Sequence, residues 1–95
     1  MPWRNVTETN IINAMNSCDR LGLDAFRDQF PGFQPAENLY MYYPGRAQPY
    51  EARPLIAAAY ADQNPGAPGL VPSSFDGING HDFLIERFHF NAQQI

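Results

Sequence analysis

A chain of 95 residues, of which 44% are hydrophobic and 14% aromatic, has enough apolar material for one folded core, and this argues against disorder. Ten acidic residues outnumber six arginines, lysine does not occur, and the net charge is −4, which argues against a strongly basic nucleic-acid binder. A large independent enzyme is disfavoured because little chain remains to build a deep pocket. We expect one domain over residues 1–95, with residues 1–6 and 91–95 as loose termini.

The chain carries no visible signal for export or for membrane insertion. One cysteine, Cys18, rules out an intramolecular disulfide. The first residues lack a basic segment followed by an apolar one, and no apolar run approaches the roughly 18 residues of a membrane span. These patterns predict a cytoplasmic protein that makes no contact with a membrane.

The first third of the sequence predicts two helices that meet at a tight corner. Apolar residues recur at helical spacing over residues 7–21, Thr7 is a suitable N-cap, and Gly22 suits the position that ends the helix. A second, shorter helix follows over residues 23–30, where Leu23, Phe26 and Phe30 share one face, and the Pro-Gly pair after Phe30 ends it.

The middle of the chain changes to strand periodicity. Residues 39–43 are rich in strand formers, and alternation places Tyr40 and Tyr42 on one face. The Pro-Gly-Arg turn ending at Arg46 predicts that residues 47–50 return as a short second strand of a hairpin, with Pro49 confining it to an edge.

The second half predicts two more helices separated by a loop. A third helix runs from about Glu51 to Ala61, with Pro54 in its first turn, where a proline loses no helical hydrogen bond. Prolines and glycines make residues 62–72 a loop, and a fourth helix begins at Asn79 or Gly80. The expected fold class is therefore α+β, a small domain of about four helices packed on a short antiparallel hairpin or sheet.

Five motifs occur in a recognisable order across nearly the whole chain. They are D-R-L-G-L-D-A-F at residues 19–26, F-P-G-F at 30–33, Y-M-Y-Y-P-G at 40–45, Y-E-A-R-P-L-I-A-A-A at 50–59 and P-S-S-F-D-G at 72–77. In this order and spacing the chain resembles the N-terminal head domain of McrA-like, modification-dependent HNH restriction endonucleases.

The resemblance implies a head-type module without a nuclease, in a DNA-associated setting. The sequence departs from the family pattern at two positions. Arg53 stands where the family has lysine, so a planar guanidinium replaces a point charge. Ala57 stands where the family has glycine, and this removes a position of close backbone approach.

A group of tyrosines and arginines is the strongest candidate for a nucleic-acid surface. Tyrosines can stack on bases, and arginine can bind a phosphate with two parallel hydrogen bonds, which at Arg53 would also lie near the start of a helix. In the alternative, half of these tyrosines fill the core, Arg46 is a solvated turn residue, and Arg53 pairs with Glu51 or another acid. The predicted nucleic-acid-binding residues are Tyr40, Tyr42, Arg46, Tyr50 and Arg53.

No pattern in the sequence predicts catalysis, a metal or a cofactor. His81 and His89 are eight residues apart, about 12 Å along a helix, which is too far for two ligands of one metal. Cys18 lies on the apolar face of the first helix, where a buried hydrophobe is the simpler interpretation. We therefore predict that the chain is not an enzyme, has no catalytic residues and binds no metal or cofactor.

Three functional hypotheses follow from the sequence. The first is a non-catalytic, DNA-associated module that contacts DNA weakly or with assistance. The second is an acidic protein-interaction module, an adaptor or anti-defence partner that engages a larger nuclease or other complex. The third is a structural domain whose activity requires an oligomer. The first hypothesis is favoured if Arg46 and Arg53 share a face with exposed Tyr40 or Tyr42 and few acids. The second is favoured if that face is acidic or the tyrosines are buried.

Overall fold

The structure is a computed structural model that describes residues 1–95. It has four helices, α1 (Glu8–Leu21), α2 (Leu23–Asp28), α3 (Ala52–Gln63) and α4 (Asn79–Phe88). Two strands, β1 (Leu39–Tyr42) and β2 (Asn91–Gln94), form an antiparallel sheet. Short 3₁₀ helices occupy Pro2–Asn5 and Pro72–Ser74. The predicted α+β class, with four helices and a small antiparallel sheet, is confirmed.

Local signals in the sequence place the helix ends. The Thr7 hydroxyl accepts a hydrogen bond from the Asn10 backbone N–H, and the Asn10 side chain accepts one from the Thr7 N–H, so the two residues cap α1 reciprocally. Gly22 follows α1 with φ +87°, a conformation that favours glycine, and it turns the chain directly into α2. Pro54 lies in the first turn of α3, as predicted.

The helix α3 is the centre of the core. It is buried over most of its length, from Ala52 to Ala59, and it contacts both α1 and α4. A single hydrophobic cluster of 21 buried residues joins these helices to the strands and to the N-terminal segment. None of the helices is long and apolar enough to cross a membrane.

The partner of β1 differs from the predicted one. Residues 47–50 meet β1 at one bridge only, where Met41 and Tyr50 exchange two backbone hydrogen bonds of 2.8 Å. The continuous partner is β2, which pairs over four residues from Tyr42 opposite Asn91 to Leu39 opposite Gln94. The predicted hairpin was wrong in its second strand, because the returning chain meets β1 at Tyr50 alone and enters α3 two residues later, at Ala52.

The two chain ends are packed, contrary to the expectation of loose termini. The side chains of Trp3 and Val6 are buried, and the Trp3 indole donates a hydrogen bond of 3.0 Å to the Ser74 carbonyl. His89 takes a left-handed conformation with φ +63°, which ends α4 and reverses the chain into β2. Both ends are ordered by distant partners, which local sequence patterns do not reveal.

Candidate functional site

Two of the predicted nucleic-acid-binding residues, Tyr50 and Arg46, meet at Asp19 of α1. The Tyr50 side chain is completely buried, and its hydroxyl donates a 2.7 Å hydrogen bond to Asp19 Oδ1. Burial and this hydrogen bond raise the pKa of Tyr50 to about 12. Arg46 forms an ion pair of 3.1 Å with Asp19 Oδ2 and also donates to Asn16. In this arrangement both side chains join the central segment to α1.

The two predicted tyrosines of β1 lie on the sheet face opposite Met41. Tyr40 stands directly across from Gln93 and Tyr42 across from Asn91, and both tyrosines are half-buried. Residues directly opposite in an antiparallel pair share one face, so the tyrosines lie among uncharged polar side chains.

The fifth predicted residue, Arg53, contacts a different part of the molecule. Its Nη2 donates a 2.9 Å hydrogen bond to the Gly77 carbonyl, and its guanidinium carbon lies 5.7 Å from the centroid of the Phe75 ring. These contacts lie on the segment before α4, whereas those of Arg46 lie on α1. The structure therefore brings Arg46 and Tyr50 together and places Arg53 elsewhere.

The acid beside Arg53 in sequence, Glu51, pairs with another arginine. Arg27 of α2 donates to Glu51 Oε1 at 2.7 Å, and the Ala36 backbone N–H donates to Oε2 at 2.6 Å. The Glu51 side chain is 5% exposed, so this is a buried ion pair. Arg27 also binds the exposed carboxylate of Asp24 at 2.7 Å. No local sequence pattern indicates this buried contact, because Arg27 and Glu51 are 24 residues apart in the chain.

A cleft of about 410 Å³ opens between residues 32–39, the start of α3 and the start of α4. Its walls are mainly apolar, and four side chains that carry or can carry charge interrupt them. The apolar lining includes Phe33, Leu39, Pro54, Pro72 and Ile78, and the other four are Glu37, Glu51, Arg53 and His81. This mixture is typical of sites that bind small molecules.

His81 is the least satisfied polar side chain of the cleft. Its Nδ1 is buried and has no hydrogen-bond partner. Burial lowers the pKa of His81, and the nearby positive charge of Arg53 lowers it further, so the imidazole is neutral at pH 7. The sequence excluded His81 only as a metal ligand together with His89, and the packing of α4 against α3 reveals its position in the cleft.

Two further arginines, Arg4 and Arg87, lie against aromatic rings of the core on the part of α4 away from the cleft. The Arg4 guanidinium lies 5.2 Å from the Trp3 ring and 5.9 Å from the Phe83 ring, and the Arg87 guanidinium lies 5.5 Å from the same Phe83 ring. Both arginines are exposed, and neither pairs with a carboxylate. We call Arg4, Arg87, Trp3 and Phe83 the arginine platform. Sequence reasoning missed it because 83 residues separate its two arginines.

A family model described as the ScoMcrA-like N-terminal head domain matches residues 4–91, nearly the whole chain. The chain belongs to this family. The resemblance inferred from the five motifs is thereby confirmed, and the chain is a head domain of the kind found in McrA-like nucleases. Comparison with curated proteins and with solved structures gave no significant match.

The remaining candidate residues of the head domain lie apart from one another. His81 is in the first turn of α4, and His89 is its exposed C-cap. No three His, Cys, Asp or Glu side chains come together in a group that could hold a metal ion. Cys18 is buried on α1, where burial and the charges of Asp19 and Glu51 raise its thiol pKa to about 11.

We expect Cys18 of the head domain to react slowly with thiol reagents. A pKa of about 11 against an ordinary 9.0 lowers the thiolate fraction at pH 7 about 100-fold. Reaction with a chromogenic disulfide reagent should therefore be at least that much slower in native protein than in denaturant. Equal rates in the two conditions would contradict the buried position.

Proposed function

We propose that the head domain is a non-catalytic module that contacts the DNA backbone through the arginine platform. The observation that carries this proposal is the convergence of Arg4 and Arg87 on one aromatic ring, with no carboxylate paired to either. Arginine binds phosphate through a planar fork of donors, and a ring beneath the guanidinium holds that fork in place.

The geometry of the platform places both arginines where they can contact phosphates at the same time. Arg87 follows Phe83 by one helical turn, so both lie on the same side of α4, and Arg4 reaches the ring from the 3₁₀ helix at the N-terminus. The two guanidinium groups, each within 6 Å of the Phe83 centroid, lie at most about 11 Å apart. This spacing suits simultaneous contacts along one stretch of DNA.

The head domain's net charge of −4 limits how tightly it can bind DNA. Non-specific affinity accumulates from many phosphate contacts, and the platform supplies only two arginines. The expected interaction is therefore weak, and it becomes useful when a larger nuclease assembly delivers the head domain to DNA. The sequence-predicted set of Tyr40, Tyr42, Arg46, Tyr50 and Arg53 remains a prediction that the same measurement tests.

Salt dependence of DNA binding provides the test. Each phosphate contact contributes about −0.9 to the slope of log Kobs against log salt concentration, so an Arg4→Ala, Arg87→Ala double variant should reduce the slope by about 2 and weaken binding at low salt. Fluorescence anisotropy with a short duplex measures both quantities. The control is Arg20→Ala, which removes an exposed arginine of α1 that has no ion pair.

Three outcomes of this titration are informative. An unchanged slope in the double variant, or no binding by wild type at low salt, would contradict the platform. If an Arg46→Ala, Arg53→Ala variant loses as much DNA affinity as the platform variant, or more, that result would assign the DNA contact to the sequence-predicted residues. If Arg20→Ala reduces DNA affinity as much as the platform variant does, the binding is only non-specific attraction between charges.

A second candidate function, protein interaction, is favoured by the burial of Tyr50, by the separation of Arg46 from Arg53 and by the exposed face of α4. The side chain of Ile78 is 61% exposed and that of Ile85 is 37% exposed. They are seven residues apart, close to two helical turns, so they lie on the same side of the helix, about 10.5 Å apart along its axis. Burial of these two side chains against a protein partner would remove apolar surface from water. An Ile78→Ser, Ile85→Ser variant should then lose association with a headless McrA-like nuclease, measured by analytical ultracentrifugation, while its DNA titration stays unchanged.

A further inference from the structure

The cleft between α3 and α4 has donor groups with no acceptor inside the protein. Glu51 occupies the N-cap position of α3, but both of its carboxylate oxygens are bound by Arg27 and Ala36, so it does not cap the helix. The backbone N–H groups of Ala52 and Arg53 consequently have no hydrogen-bond partner in the protein.

The start of α4 adds to the same cleft. Ile78 is its N-cap residue and has no side chain that can accept a hydrogen bond, and the N–H of His81 has no partner. Helix N–H groups point towards the N-terminus, where they carry a partial positive charge. Because Ala52, Arg53 and His81 all line the cleft, two helix starts contribute donors to one cavity.

Arg53 supplies a fixed positive charge in the cleft. Its Nη2 is held by the Gly77 carbonyl and its guanidinium lies over Phe75, while no carboxylate pairs with it. The remaining guanidinium donors are free to bind a ligand. The Nδ1 of the His81 side chain, which is buried and has no hydrogen-bond partner, is a further unsatisfied polar atom among the residues that line the cleft.

Neither of the two acids of the cleft forms an ion pair with Arg53. Glu51 is paired with Arg27 and is only 5% exposed, so its charge is balanced within the protein. Glu37 lines the cleft and belongs to the exposed surface. The volume of about 410 Å³ exceeds that of one phosphate group, so the apolar walls have room for the rest of a ligand.

We propose that this cleft binds the phosphate group of a phosphate monoester, with Arg53 and the starts of α3 and α4 as donors. The donors come from one side chain and two helix starts, and the phosphate group of a monoester has three free oxygens that can accept from them. The site is concave and shares no residue with the arginine platform. The phosphate site can therefore be tested independently of the proposed DNA contact.

Amide NMR titration of the full ¹⁵N-labelled chain at constant ionic strength tests the proposal. Inorganic phosphate and a nucleoside 5′-monophosphate should each give saturable shifts centred on the amides of Ala52, Arg53 and His81. Arg53→Gln should weaken the apparent affinity at least about tenfold, since it removes a charged hydrogen-bond donor. The platform variant Arg4→Ala, Arg87→Ala should leave the phosphate titration unchanged.

Arg53 also holds the Gly77 carbonyl, so its replacement could disturb the fold. A second pair of variants therefore leaves Arg53 in place. Ile78→Glu places a negative charge at the exposed rim of the cleft and should weaken phosphate binding, whereas Ile85→Glu, on the same face of α4 outside the cleft, should have much less effect. Shifts spread over the surface, or equal effects of the two glutamate variants, would overturn the proposal. Unchanged affinity in a folded Arg53→Gln protein would overturn it too.

The choice of probe distinguishes two sources of the phosphate, a nucleic-acid end and a small free anion. At 0.3 M salt, a 5′-phosphorylated oligonucleotide that shifts the cleft amides, while its 5′-hydroxyl form does not, identifies a nucleic-acid end. Equal shifts with inorganic phosphate and with the nucleotide identify a small free anion. Both results support the site, and no saturable shift with any of these probes refutes it.

Discussion

Replacement of Arg27 by alanine is expected to destabilise the head domain by about 3 to 5 kcal/mol, because the Glu51 carboxylate would remain buried without its charged partner. Glu51 is 5% exposed and Arg27 is 11% exposed, so water can compensate little of the lost interaction. A domain of this size has a total stability of roughly 5 to 14 kcal/mol, so the loss is a large share of it.

Urea unfolding followed by circular dichroism measures this effect as a fall in the transition midpoint. Asp24→Ala is the matched control, because it removes the other carboxylate bound by Arg27, which is 89% exposed, and it should change the free energy of unfolding by less than about 1 kcal/mol. An Arg27→Met, Glu51→Leu variant should recover much of the stability, since it leaves no unpaired buried charge. Equal losses in Arg27→Ala and Asp24→Ala would refute this account of the ion pair.

Trp3→Ala is the second variant with a large expected effect, a loss of about 3 to 5 kcal/mol from the cavity left by a buried aromatic side chain. Trp3 has no exposed surface, stacks on Phe75 with ring centroids 5.2 Å apart and meets Phe83 edge-on at 5.1 Å. The substitution also leaves the Ser74 carbonyl without its indole donor.

Thermal unfolding measures the Trp3 effect directly. In a domain of this size, 1 kcal/mol corresponds to roughly 4 to 8 °C in Tm, so Trp3→Ala should lower Tm by tens of degrees or prevent folding. Trp3→Phe keeps a ring and should lose much less, while Arg4→Ala at the neighbouring exposed position should cost about 1 kcal/mol or less. A small Tm change in Trp3→Ala would mean that the first residues are loose, as the sequence alone suggested.

The helices of this chain could be predicted because their signals are local. Thr7 and Gly22 bracket α1, and Pro54 fits only the first turn of α3, so both ends of α1 and the start of α3 follow from residues within a few positions. The predicted ends of α2 and α3 were each wrong by two residues. The strand at residues 39–43 was also visible from alternation. Its partner was not, because β2 begins 49 residues after β1 ends and lacks a strand-like apolar pattern.

The candidate sites depended on contacts between distant residues. Tyr50 looked like a surface tyrosine of a hairpin, but the single bridge to Met41 directs it into the core, where it binds Asp19. Arg46 looked like a free turn residue and pairs with the same acid. Composition cannot show which arginines are neutralised, because ion pairing depends on which carboxylate lies within hydrogen-bond reach in the fold.

By itself, then, the sequence determined the α+β class, the positions of the helices and, through five ordered motifs, the family. Each of these rests on interactions between residues close in the chain or on the order of short segments. Only the tertiary structure decided that Arg27 neutralises Glu51, that Arg4 meets Arg87 over Phe83, and that two uncapped helix starts open into one cleft. Those arrangements result from packing around α3, which joins residues far apart in sequence into a common surface.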